Sequence, residues 1–248
     1  MIILRRRCLL IGAPDEIILK GVQKDIVNMH HFLTSTIGGA WEEDEIIFAI
    51  NRDKNELQKL LQENKYYDFV FILFSGHGGT STIDKKGYAY VNEKEEMISI
   101  DEFVNKAEKE IVIFDSCRSP LTSTPPFLKF SESIEAVRAL RTLYRIKYEH
   151  LIEKTEKGFI LLFASSLGEA ANQTKEGDDT FTQFLIKAGT LVKNGRKNIM
   201  DINEAFLIAK EDVKAKYNQQ NPDKAYAPVK RDTWFPFALK IDLFQDFS

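Results

Sequence analysis

Two short stretches of this sequence carry residue types able to do covalent chemistry. Ser75-Gly76-His77-Gly78-Gly79 ends the uninterrupted apolar run Phe69 to Phe74, and Asp115-Ser116-Cys117-Arg118 ends the apolar run Ile111 to Phe114. A thiol acts as a nucleophile in its thiolate form, and a neighbouring imidazole can promote that form and later protonate a leaving amine. That combination suits amide-bond hydrolysis through an acyl-enzyme. Glycines beside the His let backbone N–H groups approach a reacting carbonyl without a side chain in the way. The N–H groups of Gly78 and Cys117 are accordingly assigned to an oxyanion hole. In the blander reading the glycines make a turn and His77 is a hydrogen-bonded loop residue. A second apolar run ending in Asp-Ser-Cys favours the catalytic one.

Residues 40 positions apart can cooperate only if the fold brings their strand ends together. Short apolar runs alternate with amphipathic stretches, which predicts an α/β domain with a mainly parallel sheet. In such a sheet the carboxyl ends of neighbouring strands converge on one rim, where ligands bind. Cys8 to Gly12, Ile46 to Ile50 and Ile160 to Ala164 read as further strands, and Tyr88 to Val91 as part of a small hairpin. Leu19, Val22, Ile26, Met29 and Leu33 recur at helical spacing. Helix starts are expected at Asp53, Ser99, Thr180 and Asp201, each followed three residues later by Glu or Gln. Trp234 to Leu239 suits a closing edge strand that tolerates proline. Ser119 to Pro126 resists helix and ladder and reads as an exposed loop, followed by a basic helical stretch from about residue 131 to 154.

The 248 residues are 44% hydrophobic and 29% charged, which fits one large domain with a core that needs no disulfide or metal. With 34 Lys and Arg against 37 Asp and Glu, the net charge of -3 argues against nucleic acid or an anionic membrane as partner. Arg5-Arg6-Arg7 is expected to be a solvated strand flank. Two cysteines make no disulfide scaffold, and Cys8 reads as an inert core thiol. No secretory signal pattern or long apolar span is present, so the expected setting is cytoplasmic. His30 and His31 lie on an amphipathic helix, one expected to face water and one to pack.

In this order the motifs resemble those of the caspase-like peptidases, the metacaspases above all. Phe74 to Gly79 is similar to their SGHG histidine motif, and Phe114 to Cys117 to their DSC nucleophile motif. Leu19 to Asp25 resembles an early L-x-G-C-x-N-D segment. Ala164-Ser165-Ser166, Glu169-Ala170 and Gly177 to Thr182 resemble a later A-S, E-x-A, G-x-F-T segment. The resemblance spans nearly the whole chain. It implies a caspase–hemoglobinase three-layer α/β sandwich forming a single domain over 1–248, with 1–118 large-subunit-like, 119–157 linker-like and 158–248 small-subunit-like. It implies catalysis by His77, Cys117 and Gly78, with Asp25, Ser75, Asp115 and Ser165 binding a protein or peptide substrate. Two carboxylates in a partly desolvated pocket would hold Arg or Lys and repel Asp or Glu.

The chain also departs from the metacaspase pattern. Val22 replaces the usual second Cys, and Arg118 follows the nucleophile as in animal caspases. Residues 84 to 96 are Lys-rich and lack the run of aspartates that binds calcium in many metacaspases, so neither a cofactor nor a metal is expected. Arg138, Arg141, Arg145 and Lys147 in the linker-like segment are either self-processing sites or a solvated helix face. The resemblance further implies a regulated effector of antiviral defence or cell death, switched by a ligand or partner protein, as monomer or homodimer. A catalytically silent scaffold or sensor is the alternative.

Overall fold

The computed structural model describes residues 4–13, 19–81, 84, 86–116, 138–173, 177–178, 180–194, 197–227 and 235–242. In chain order the strands are β1 (Arg6–Ala13), β2 (Ile46–Ile50), β3 (Phe69–Gly76), β4 (Gly78–Thr80), β5 (Gly87–Tyr90) and β6 (Met97–Ser99). They continue with β7 (Lys109–Ser116), β8 (Gly158–Phe163), β9 (Ile199–Asp201), β10 (Asp223–Ala227) and β11 (Pro236–Leu239). The helices are α1 (Leu19–Thr34), α2 (Lys54–Glu63), α3 (Arg138–Lys154), α4 (Phe181–Thr190) and α5 (Ile202–Lys216).

The central sheet has the order β10-β8-β7-β3-β1-β2. All its pairings are parallel except that of β10 with β8. Strands covered on both faces read as continuous apolar runs, and β3 divides its side chains accordingly. Phe69, Phe71 and Leu73 join one core with residues of α1, α3, α4 and α5. Val70, Ile72 and Phe74 join a second core with α2 and the small antiparallel sheet β4-β5-β6. The result is the three-layer α/β sandwich. Under the carboxyl rim, Phe74 and Phe114 lie 5.4 Å apart, and Phe103 sits 6.1 and 4.9 Å from them. Each buried ring of this kind contributes about 1.5–3 kcal/mol of burial free energy, so the strand ends that follow stand on a firm base.

Several local expectations change in three dimensions. Arg5 is the solvated flank expected of the basic triplet, but Arg6 and Arg7 are buried. Arg6 donates to Glu45 at 2.8 Å and lies 4.5 Å over the Trp41 ring, while Arg7 pairs with Glu63 and lies 5.0 Å over Tyr67. Aromatic faces and carboxylates together let the guanidinium groups leave water. Asp53 precedes α2 without a side-chain cap bond, because its carboxylate takes Lys94 instead at 2.7 Å. Ser99 opens only a single 3-10 turn, Ile100–Glu102. Thr180 and Asp201 cap α4 and α5 as expected, accepting from the N–H of Gln183 and Glu204. β11 leaves the central sheet and pairs with β9, and Phe235 and Phe237 fill the core. His30 packs against Phe48 and Glu43 while His31 is exposed.

Residues 117–137 lie outside the described residues, and with them the expected loop at Ser119 to Pro126. The rest of the linker-like segment contains α3, which is docked rather than solvated: Tyr144, Tyr148 and Ile152, at a spacing of four, are buried in the core. Arg145 bonds Glu45 at 2.7 and 2.8 Å, and Arg141 donates to the carbonyls of Thr34 and Trp41. Neither residue is the solvated basic side chain expected. Among the described residues no helix is long and apolar enough to cross a membrane.

Candidate active site

The site forms where β3 and β7 end. Their pairing sets Ser75 opposite Asp115 and Gly76 opposite Ser116, and on the other side of β3 sets Gly12 opposite Ser75 and Ala13 opposite Gly76. A β-carbon at position 76 would come within 3.0 Å of Ala13, so glycine is the residue that fits between the strands. His77 follows at once. Cys117 and Arg118 lie outside the described residues, and β7 is described up to Ser116, the residue bonded to Cys117.

The turn after β3 has a definite hydrogen-bond phase. The N–H of Tyr90 donates to the carbonyl of His77 at 3.0 Å, and Gly78 pairs with Ala89 in the antiparallel ladder. In such ladders hydrogen-bonded and non-hydrogen-bonded pairs alternate. His77 and Tyr90 form the bonded pair, so Gly78 falls in the non-bonded one and its N–H turns away from β5. That leaves it free of the ladder, as a donor to a bound oxyanion must be.

Beside this turn two buried carboxylates face one small cleft. Asp25, on α1, is 1% exposed and Asp115, near the end of β7, is 8% exposed. The Ser75 hydroxyl donates to Asp25 Oδ2 at 2.7 Å; the Thr180 hydroxyl at 2.5 Å and the Gln183 amide at 3.4 Å donate to Oδ1. Asp115 accepts from the backbone N–H of Thr182 at 2.7 Å, within the first turn of α4, where the helix start carries partial positive charge. Burial, and then the nearby charge of Asp115, push the Asp25 carboxyl well above its ordinary range against the opposing bonds of Thr180, Ser75 and Gln183. Burial likewise pushes Asp115 up to about 6, opposed by the bonds from Thr182. The cleft is lined by α1 at Gly21, Val22 and Asp25, by the strand ends, and by Ala171, Asn172, Gln173 and Thr180. Among the described residues, no cationic side chain lines it. A cation entering it would meet both carboxyl groups, and its charge would offset one of them.

The caspase domain family matches residues 5–231, most of the chain. This chain belongs to that family. Among solved structures it is similar to the caspase-1 of Spodoptera frugiperda, with a TM-score of 0.56 and 13% identity over 91% of this chain and 87% of that one. No curated protein sequence matches it. At that identity the likeness is one of fold alone.

Within this caspase domain, the expected residues Asp25, Ser75 and Asp115 share the cleft, with His77 one residue beyond its Gly76 wall. Ser165 is fully buried and not part of the cleft lining; its hydroxyl donates to the Glu169 carbonyl at 3.2 Å. Glu169 in turn accepts from the backbone and side chain of Asn221 at 2.7 and 2.8 Å, tying the loop after β8 to the residues just before β10. Sequence reading gave no site role to Gly21, Gln173, Thr182 or Gln183. It took Thr180 for a helix cap only, although the same hydroxyl that accepts from Gln183 N–H donates to Asp25. In the segment expected to lack a calcium site, Asp84 accepts from Tyr88 and Lys86, and Glu96 from Asn92 and Lys54.

Proposed function

We propose that this caspase domain is a cysteine endopeptidase that cleaves peptide bonds after Arg or Lys, with Cys117 as nucleophile and His77 as the acid–base group. The observation that carries this reading is the β3–β7 register. It sets Gly76 beside Ser116, so the chain leads directly into His77 on one strand and Cys117 on the next, with the Asp25–Asp115 cleft alongside.

In this mechanism the Cys117 thiolate attacks the carbonyl carbon of the scissile bond, and the oxyanion formed is held by the N–H of Gly78 and of Cys117. The C–N bond then breaks as His77 gives its proton to the leaving amine, leaving a thioester. Water attacks the thioester with His77 taking its proton, which releases the new carboxylate and regenerates the thiolate. The cation of the residue before the cut enters the cleft, where two carboxylates short of positive charge reward it and an acidic side chain would meet like charge. Activation by a ligand or partner protein, in defence or cell death, rests on the family resemblance alone.

The test compares reporter peptides with Lys, Arg, Leu or Asp before the cut, with and without cell extract as a source of activator. Cleavage of the basic peptides is expected. Cys117→Ala and His77→Ala should each lower turnover at least about 10³-fold without changing the circular dichroism spectrum. Near wild-type cleavage by either variant removes that residue from the mechanism. Failure of Cys117 to react with a peptidyl-Lys or peptidyl-Arg chloromethyl ketone turns the reading towards the silent scaffold.

A further inference from the structure

We propose that Gln173 sets the size of the cation cleft and thereby makes the site select lysine over arginine. This rests on the proposed cleavage after basic residues and adds to it which basic residue is taken.

The free space in the cleft is about 40 Å³. A water needs about 10–15 Å³ by the same measure, so the cleft has room for about three. Beyond Cβ a lysine side chain brings four heavy atoms, Cγ, Cδ, Cε and a compact ammonium nitrogen, close in number to the waters it displaces. Arginine brings Cγ, Cδ and a planar guanidinium, which is larger and rigid. Admitting it requires a wall to move.

Most walls are fixed. Ser75, Gly76, Asp115 and Ser116 are held in the β3–β7 ladder, and Gly21, Val22 and Asp25 belong to α1. Gln173 differs, being a half-buried, flexible side chain on the connection between β8 and α4. Its amide lies against Gly21: a β-carbon at position 21 would stand 1.7 Å from Gln173 Oε1 and 2.9 Å from its Cδ. Only glycine leaves room for the amide there. The chain is pinned again just downstream, where Gly177, at φ +75°, rests on the backbone of Lys20 and Gly21 and Asp178 pairs with Lys24 at 2.6 Å. With Gly177 and Asp178 anchored on α1, Gln173 is held in the wall of the cleft.

The experiment measures kcat/KM on matched Lys and Arg reporter peptides. Wild type is expected to favour Lys several-fold. Gln173→Ala should raise the Arg value and move the Arg-to-Lys ratio about tenfold. Gly21→Ala, which evicts the amide from its seat, should move the ratio only while Gln173 is present, so the double variant should match Gln173→Ala. A wild type that favours Arg, an unchanged ratio in Gln173→Ala, or an equal fall for both peptides overturns the assignment of Gln173. Absence of any basic preference in wild type defeats instead the pocket reading beneath it. The Gly21→Ala variant is a helix-favouring change and keeps the test open if Gln173→Ala misfolds.

Discussion

The molecule buries charge in two places and treats it in opposite ways. Near the amino ends of the strands, Arg6 is fully buried, yet Glu45 receives bonds from both Arg6 and Arg145, and Trp41 and Tyr148 flank the Arg6 guanidinium. Burial alone would raise the Glu45 carboxyl, but those bonds outweigh it and hold the group below its ordinary range. At the carboxyl rim, Asp25 and Asp115 face one cleft with hydroxyl, amide and backbone donors and, among the described residues, no cation, and both are pushed up. A compensated cluster joins parts of a fold: this one fastens α3 and the segment before β2 to β1. An uncompensated pair of like charges costs stability and is retained where something else needs it.

The comparison breaks first if the amino-end cluster is dispensable. Arg6→Met leaves Glu45 buried with one partner fewer, and removing one member of a buried pair costs about 3–5 kcal/mol. The midpoint of urea unfolding should fall accordingly, with reporter selectivity in the surviving folded protein unchanged. A loss below about 1 kcal/mol shows that the cluster is not what holds α3.

At the rim the same kind of deletion should have the opposite sign. The pKa of Asp115 is raised on folding from 3.8 to about 6, so the fold favours the protonated form. That contribution is complete below the unfolded value and is lost as pH rises through about 6. At pH 7 the buried charge is then a burden, which Asp115→Asn removes while its side-chain oxygen still accepts from Thr182 N–H. The variant should gain up to about 3 kcal/mol of stability at pH 7 and nothing at pH 3, measured by urea unfolding at both. It should also lose about 100-fold in basic-over-neutral selectivity. Destabilisation at pH 7 means that Asp115 is a structural group like Glu45.

The two regions were not equally legible in the sequence. The rim was, because each of its strands must be apolar on both faces and must end abruptly in polar residues; Ser75, His77 and Asp115 stand out against Phe69 to Phe74 and Ile111 to Phe114 for that reason. Asp25 was reached only through the resemblance, since on a helix an aspartate has no local mark of burial. The amino-end cluster was misread. Arg6 looks like a strand flank, and its partners Glu45 and Arg145 lie far off in sequence with no motif linking them. Gln173 and Gly21 escaped for a related cause: a polar side chain filling the place of a missing β-carbon is a fact of packing, visible only once a loop and a helix are brought together.

The finest distinction between the regions is their response to pH. The Glu45 carboxyl is held below its ordinary range, whereas both rim carboxyls are raised, Asp115 to about 6, so the rim gains protons as pH falls through that value. The two carboxylates titrate as a unit, and one proton halves the charge offered to a substrate cation. The proposed nucleophile and acid–base group act on every substrate alike, so the ratio of kcat/KM for a Lys peptide to that for a Leu peptide isolates the cleft. Selectivity should fall by at most about tenfold per unit as pH drops below about 6, which is about 1.4 kcal/mol at pH 5. Asp115→Asn should flatten the profile, and Arg6→Met should leave it as in wild type. A ratio independent of pH from 5 to 8 implies that the cleft carries its full charge throughout, and that the contrast with the amino-end cluster is one of position alone.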